Sequence, residues 1–239
     1  MTSQSVAPIV SCRGVTKLYK LGAIEVPALN GVDLDIMPGE FSTLAGPSGS
    51  GKTTLLNMIG GLDQATSGEV IVAGAELGKL NKNALTNLRL QKIGFVFQAY
   101  NLIPVLSALE NVEFILQLRG MAAAERRDRA KEALAEVGLA GMEDRRPSHL
   151  SGGQQQRVAV ARALVGRPSI VLADEPTANL DSKTAEDLVA LMAQLNAHSG
   201  VTFLIGTHDA RVIAHSRRRM EMTDGRITSD VREDKIDAA

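Results

Sequence analysis

A glycine-rich segment in the first quarter of the chain has residue types and spacing suited to binding phosphate. Its residues are Gly46, Pro47, Ser48, Gly49, Ser50, Gly51, Lys52, Thr53 and Thr54. The first eight fit the pattern G-x-x-x-x-G-K-[ST], in which glycines let backbone N–H groups approach phosphates and the lysine reaches the β- and γ-phosphates. The β-prone residues 41–45 precede this loop, and a helical pattern over residues 53–59 follows it. The sequence therefore predicts an ATP site, with the Thr53 hydroxyl facing Mg²⁺.

A second segment could also receive phosphate. It consists of Ser151, Gly152, Gly153 and Gln154 at the start of a predicted helix, whose N-terminal N–H groups attract anions. In the simpler reading Ser151 only caps the helix. Two glycines are poor helix formers, however, and close approach of a ligand is the better explanation for them. The two segments together predict that phosphates are gripped from two sides.

Polar side chains follow several predicted strands. Asp174 and Glu175 end the apolar run at residues 170–173, where unpaired carboxylates would be costly to bury. Mg²⁺ would compensate Asp174, and Glu175 could then orient and deprotonate an attacking water. The alternative is a strand end that faces solvent. Gln98 and His208 also follow predicted strands, although a lone glutamine is usually a surface residue and a lone histidine is usually structural.

Composition limits the classes of function. The 239 residues carry a net charge of −1 and contain one cysteine, Cys12, so no internal disulfide can form and a reducing cytosol is expected. No window is apolar enough to span a bilayer, and residues 1–10 do not resemble a signal peptide. The near-neutral charge and the 3% aromatic content predict no nucleic-acid partner.

The pattern of elements predicts an α/β fold. Strand-like runs occur at residues 9–15, 32–36, 41–45, 70–72, 93–97, 170–173 and 201–205. Helical patterns occupy residues 107–165 and 183–196, and Asp224-Gly225 indicates a tight hairpin. The tail from Arg232 is charged, and we expect it to be frayed.

In their order along the chain, these motifs resemble those of the ATPases of ATP-binding-cassette (ABC) transporters. The resemblance extends over residues 10–227 and rests on Tyr19, Gly46–Thr53, Gln98, Ser151–Gln154, residues 170–175, Asn179-Leu180-Asp181 and His208. It implies a P-loop NTPase fold with a RecA-like core, an antiparallel β subdomain and a helical subdomain. The core would comprise residues 1–98 and 166–239, and the helical subdomain residues 99–165.

The same resemblance assigns roles to residues. It implies that Tyr19 stacks on adenine, that Gln98 contacts Mg²⁺ and the attacking water, and that His208 is a catalytic switch beside Glu175. It also implies that two copies face each other head to tail, so that residues 151–154 bind the ATP of the partner chain. Ala178 and Gly206 depart from the usual residues at their positions, and neither departure is expected to abolish activity.

The opening Tyr19…Gly22…Val26-Pro27-Ala28-Leu29 resembles that of lipoprotein-releasing and macrolide-exporter ATPases (the LolD and MacB types). This implies a transmembrane permease partner with a large extracytoplasmic domain, and a peripheral location at the cytoplasmic face of the bacterial inner membrane. One alternative is a cell-division ATPase of the FtsE type, which regulates cell-wall hydrolases without a transported substrate. Another is a soluble cassette acting on DNA or ribosomes, which the single cassette and the near-neutral charge disfavour.

The apolar segment at residues 99–106 directly follows Gln98 and contains Pro104. One hypothesis is a groove lined by Tyr100, Leu102 and Ile103 that receives a short helix of the membrane partner. The alternative is that the segment packs inside the helical lobe.

Overall fold

The computed structural model describes residues 6–22 and 24–232. The first five residues, part of the segment considered for a signal peptide, and the tail after Arg232 lie outside this range. Across the two described ranges, no helix has the length and apolar character needed to cross a membrane.

In chain order the strands and helices are β1 (Val10–Leu21), β2 (Ile24–Ile36), β3 (Phe41–Ala45), α1 (Lys52–Ile59), β4 (Ser67–Val72), β5 (Ala75–Glu76), α2 (Lys82–Lys92), β6 (Ile93–Val96), α3 (Ala108–Leu118), α4 (Ala123–Glu136), α5 (Gly152–Leu164), β7 (Ile170–Asp174), α6 (Ser182–Ser199), β8 (Thr202–Thr207), α7 (Ala210–Ala214), β9 (Arg218–Thr223) and β10 (Arg226–Arg232). They form two sheets and a helical layer, which confirms the predicted α/β class.

The central sheet has six strands in the order β10-β9-β3-β8-β7-β6. Neighbours from β9 to β6 pair in parallel, and β10 adds an antiparallel edge. Every residue of β3 and β8 is buried, as expected of parallel strands covered on both faces. The carboxyl ends of β3, β6, β7 and β8 therefore meet at one edge of the sheet, where ligands of α/β proteins bind.

Two hydrophobic clusters cover the faces of this sheet. Val171 and Ala173 of β7 belong to a cluster with α3, α4, α5 and α6, whereas Ile170 and Leu172 belong to a cluster with α1 and the antiparallel sheet β2-β1-β4-β5. Successive side chains of a strand point to opposite faces, so one apolar run supplies both clusters. Packing on both faces holds the central sheet, and therefore the loops that follow its strands, in fixed positions.

The sequence analysis missed α2 and the first half of β2. Helix α2 has no fully buried residue, with Leu85 and Leu88 only partly buried against the core, and residues 24–27 of β2 are exposed, so neither shows a strong apolar periodicity. Residues 99–165, expected to form the helical subdomain, contain α3, α4 and α5.

Candidate nucleotide site

A cavity of about 380 Å³ lies where the central strands end. Strand β3 leads into the glycine loop, β6 to Gln98, β7 to Glu175 and β8 to His208. The cavity lining is Ala28, Ser48, Gly49, Gly51, Lys52, Thr53, Thr54, Gln98, Glu175, Ala178 and His208. The fold thus brings together residues that are up to 180 positions apart in the sequence (28 to 208).

The glycine loop surrounds the side chain of Lys52. Lys52 Nζ donates to the carbonyl oxygens of Gly46 and Pro47, at 2.7 and 2.9 Å. Gly51, with φ of 105°, precedes α1, and a Cβ there would lie 2.7 Å from the carbonyl oxygen of Ala28. Only glycine accommodates both constraints. The loop holds an ammonium group at the N-terminus of a helix, and both favour phosphate.

Asp174 and Thr53 have the chemistry of a Mg²⁺ site. Burial raises the pKa of the Asp174 carboxyl, although the Thr53 hydroxyl opposes this by donating to Oδ2 at 2.8 Å. Asp174 Oδ1 is buried and has no hydrogen-bond partner among the described residues. Mg²⁺ binds oxygen and needs only one or two protein ligands beside phosphates and waters. These two side chains fit such an ion, and Gln98 lines the same cavity.

Glu175 is held by groups around it. His208 Nδ1 lies 2.8 Å from Oε1, the Thr207 hydroxyl donates to Oε2 at 3.2 Å, and Lys52 Nζ lies 3.8 Å from Oε1. The backbone of Glu175 has φ of 46°, a strained value for a residue with a side chain. Strain of this kind is typical of functional sites, and here it places a carboxylate between the glycine loop and His208.

Tyr19 lies on β1, outside the residues that line the cavity. Its hydroxyl donates to Asp63 Oδ2 at 3.0 Å, and Lys17 Nζ lies 4.9 Å from the ring centroid. Lys17 also donates to Asp63 Oδ1 at 2.7 Å. Burial and the bond to Asp63 raise the pKa of the tyrosine. The ring is oriented by its hydroxyl and is partly exposed.

Residues 151–154, the second predicted phosphate-binding segment and hereafter the signature residues, also lie outside the cavity lining. Ser151 Oγ accepts from the Gln154 N–H at 3.3 Å, and Gln154 Oε1 accepts from the Ser151 N–H at 3.0 Å, so the pair caps α5. A Cβ at Gly153 would lie 2.3 Å from Cγ2 of Thr184. Packing within the chain is therefore a second explanation for Gly153, beside the close approach of a ligand that the sequence suggested.

The loop after β6 is held by side chains whose roles the sequence analysis did not assign. Gln156 donates to the carbonyl oxygen of Phe97, Asn179 to that of Gln98, and Arg162 to those of Tyr100 and Asn101; all of these oxygens belong to residues 97–101. Gln156 and Arg162 lie among buried or partly buried positions of α5, and a polar group on that side of the helix is the signal that could have indicated a structural role.

An apolar groove lies beside residues 99–106, but of the three residues expected to line it only Ile103 does so, and Leu102 fits the alternative of packing in the helical lobe. A cavity of about 540 Å³ is lined mainly by apolar groups, which include Phe95, Phe97, Ile103, Phe114, Ile115 and Leu118. Leu102 instead packs against the helical cluster, and the Tyr100 hydroxyl lies near Gly152, 2.8 Å from the position of a Cβ there. Our prediction was wrong for Tyr100 and Leu102 because the loop backbone turns at positive φ between residues 100 and 101.

The fold and the glycine-loop cavity define a P-loop nucleoside triphosphatase. The sequence profile of the family described as "ABC transporter" matches residues 29–178, more than half of the chain. The chain therefore belongs to the ABC transporter family, as its ATP-hydrolysing cassette.

Similar proteins support this membership. The chain is 48% identical over 231 residues to the lipoprotein-releasing system ATP-binding protein LolD of Anaeromyxobacter dehalogenans, covering 96% of this chain and 97% of that protein. A solved structure of the ATP-binding cassette MJ0796, described as a dimeric post-hydrolysis state bound to ADP and Pi, superposes with a TM-score of 0.87 at 45% identity, covering 95% of this chain and all of that one. CbiO1 of Clostridium perfringens gives a TM-score of 0.85 at 28% identity, with 95% and 89% covered.

Proposed function

We propose that this cassette powers a LolD-type membrane complex, in which two copies close around two Mg-ATP and drive lipoprotein release or export through a permease. The similarity to LolD over nearly the full length supports this proposal. The complex would sit at the cytoplasmic face of the bacterial inner membrane, and its permease would carry a large extracytoplasmic domain.

In this proposal the cavity residues divide the chemistry. Residues 46–54 hold the phosphates, and Tyr19 stacks on adenine. Glu175 deprotonates the attacking water, and His208 holds the Glu175 carboxylate in place. Removing a positioned base typically costs 10²–10⁴ in rate, so Glu175 carries a large part of the acceleration. When bound, Mg²⁺ would neutralise charge on the phosphates, and Thr53, Gln98 and Asp174 would hold it.

The signature residues require a second copy in this scheme. Ser151 is exposed and does not line its own chain's cavity, so its hydroxyl, which accepts from the Gln154 N–H, can donate its proton to a nucleotide bound to a partner chain. The MJ0796 cassette, 45% identical, is described as dimeric. We propose a head-to-tail dimer in which residues 151–154 bind the partner's ATP.

The apolar groove is the proposed docking site for the permease, because it exposes apolar side chains beside the segment that contains Gln98. Phe114 and Leu118 are exposed apolar side chains, and Leu118 remains 54% exposed. Phe97 and Ile103, which flank Gln98 in the sequence, line the same groove. An amphipathic helix bound in this groove would bury these side chains. Because Phe97 adjoins Gln98, a movement of Gln98 would also shift the wall of the groove that the helix contacts.

The test is Leu118→Glu in a complex co-expressed with the membrane protein encoded beside it. The matched control is Val231→Glu, since Val231 is similarly exposed, at 47%, but lies on β10 away from the groove. We expect Leu118→Glu to preserve the melting temperature and the ATPase of the isolated subunit while it abolishes co-purification of the permease. Equal co-purification of both variants would refute the docking site. Lipoprotein release from reconstituted vesicles would separate transport from activation of a cell-wall hydrolase.

A further inference from the structure

Gln156 joins three functional segments through one buried amide. Its side chain is fully buried in α5, and Nε2 donates to the carbonyl oxygens of Phe97 at 3.3 Å and Pro176 at 2.8 Å. Phe97 immediately precedes Gln98, and Pro176 immediately follows Glu175. The same helix begins at the Ser151 cap. One side chain therefore contacts the backbone beside the water-positioning glutamine and beside the catalytic carboxylate.

The amide is not arranged for stability alone. Its two N–H groups match the buried carbonyl of Pro176, which would otherwise lack a partner at a cost, and the carbonyl of Phe97, which also accepts from the Tyr100 N–H at 3.3 Å. Its oxygen, Oε1, is buried and has no hydrogen-bond partner among the described residues. A buried polar network that is half satisfied is worse for stability than an apolar side chain of the same shape. The net contribution of Gln156 to stability is therefore small compared with that of a fully satisfied amide.

A second contact stiffens the connection between α5 and the loop. Arg162 donates to the carbonyl oxygens of Tyr100 and Asn101. The backbone φ angles of these two residues are 59° and 50°, in the left-handed region. Burial lowers the pKa of this guanidinium, so placing a cation here is itself unfavourable. Backbone in this region is strained and persists only where its surroundings hold it. Helix α5 thus grips the loop on both sides of Gln98.

We propose that Gln156 is a positioning residue that links the hydrolysis site of its own chain to the signature serine that serves the other nucleotide. This inference rests on the proposed function, in which Ser151 contacts ATP bound to a second copy. Ser151 and Gln156 are about 7–8 Å apart along a rigid helix axis. Engagement of Ser151 shifts α5, and Gln156 carries that shift to Phe97 and Pro176. Gln98 and Glu175 then reach working positions only when the dimer is closed.

The test compares Gln156→Met, which keeps the shape but removes the donors, with Gln155→Met in the same helix. The Gln155 amide donates to the carbonyl oxygen of Leu150, which precedes the signature residues 151–154, and not to the backbone beside Gln98 or Glu175. For Gln156→Met we expect an ATP affinity near that of the wild type and a melting temperature at most slightly lower, because the Pro176 carbonyl loses its donor while the unpaired Oε1 is removed. We expect kcat to fall about tenfold or more and KM to change by less than about threefold. Gln155→Met should match the wild type in all four.

A second readout examines the link itself. In a Glu175→Gln background, Mg-ATP should hold two copies together, and adding Gln156→Met should weaken this association by about tenfold or more. An unchanged kcat overturns the proposal. A lowered kcat with unchanged association also overturns it, because Gln156 would then act on its own site only. Equal losses of melting temperature, ATP affinity and kcat would mean a purely structural role.

If Gln156→Met does not fold, Gln156→Asn keeps a buried amide but is one carbon too short to reach both carbonyls. This variant should fold and show the same loss of kcat and association, and wild-type kinetics would overturn the proposal. Failure of the proposed function can be told apart from failure of this inference, because it would be seen in proteins that still carry Gln156. In that case the wild type would lack ATPase activity, or the Glu175→Gln chain would not associate with Mg-ATP.

Discussion

His208 contacts the carboxylate of Glu175, with 2.8 Å between Nδ1 and Oε1. A carboxylate can only accept, so Nδ1 carries the proton of this bond. The bond ties the end of β8 to the end of β7, and Thr207 adds a second tie at 3.2 Å. Glu175 thereby lines the cavity in a fixed position, which would lower the cost of ordering it in the proposed role of general base.

Replacing Glu175 by glutamine should stop hydrolysis but not ATP binding. The amide cannot take a proton from water, and removal of a general base commonly costs about 10²–10⁴ in rate. Loss of the negative charge should also stabilise bound ATP and a closed dimer, detectable by gel filtration with Mg-ATP. Glu186→Gln, at an exposed position on α6, is the matched control. Normal turnover by Glu175→Gln, or a monomer with filled sites, would count against the assignment.

Lys52→Ala should abolish most stabilisation by ATP. With ATP at about 100 times Kd, binding should stabilise the wild type by about 2.7 kcal/mol. For a chain of this size that corresponds to a rise in melting temperature of about 5–10 °C. The shift must be measured against each variant's own nucleotide-free value, because Lys52 also bonds the loop carbonyls. Lys82→Ala, exposed at the start of α2, should keep the full shift. An undiminished shift in Lys52→Ala would refute the site.

Asp174→Asn should raise the melting temperature of the nucleotide-free protein at neutral pH. Burial raises the folded-state pKa of Asp174, so the unfolded chain loses this proton first as pH rises. The carboxylate therefore destabilises the fold progressively from about pH 4 up to its folded-state pKa, and the full penalty applies above it. Asparagine removes the penalty, and its advantage should vanish below about pH 4.

The same variant should lose the additional stabilisation that Mg²⁺ gives to bound ATP, because the amide lacks the charge that holds the ion. Thermal unfolding from pH 4 to pH 7, with and without Mg-ATP, measures both effects. A melting temperature at pH 7 below that of the wild type would contradict the buried-carboxylate argument.

Tyr19→Ala should weaken ATP binding by about three- to tenfold, the usual value of an aromatic stack beyond its buried area. Tyr19→Phe should retain most of the affinity, because the ring remains while the bond to Asp63 is lost. Equilibrium titration measures both, with tripolyphosphate as the ligand that has no base. Tripolyphosphate should bind all three proteins alike. Equal ATP affinity of Tyr19→Ala and the wild type would remove Tyr19 from the site.

Much of the fold was predictable from local patterns. The residues of β3 and β8 and the first four residues of β7 are buried, so their apolar runs identified these strands, and glycines and the Asp224-Gly225 pair marked turns. The confirmed fold class follows from these runs. Helix α2 was missed because it has no buried residue, and periodicity is produced by burial.

The sequence by itself determined which residues have the chemistry for a nucleotide site, because a phosphate loop depends on neighbours in the chain. Only the tertiary structure decided which distant groups touch. The bonds from Gln156 to Phe97 and Pro176, and the separation of Leu102 from the groove, depend on how α5 packs against the end of the sheet. Such contacts join residues tens of positions apart, so no local spacing encodes them. Their geometry is set by packing of the whole core, in which every side chain constrains its neighbours.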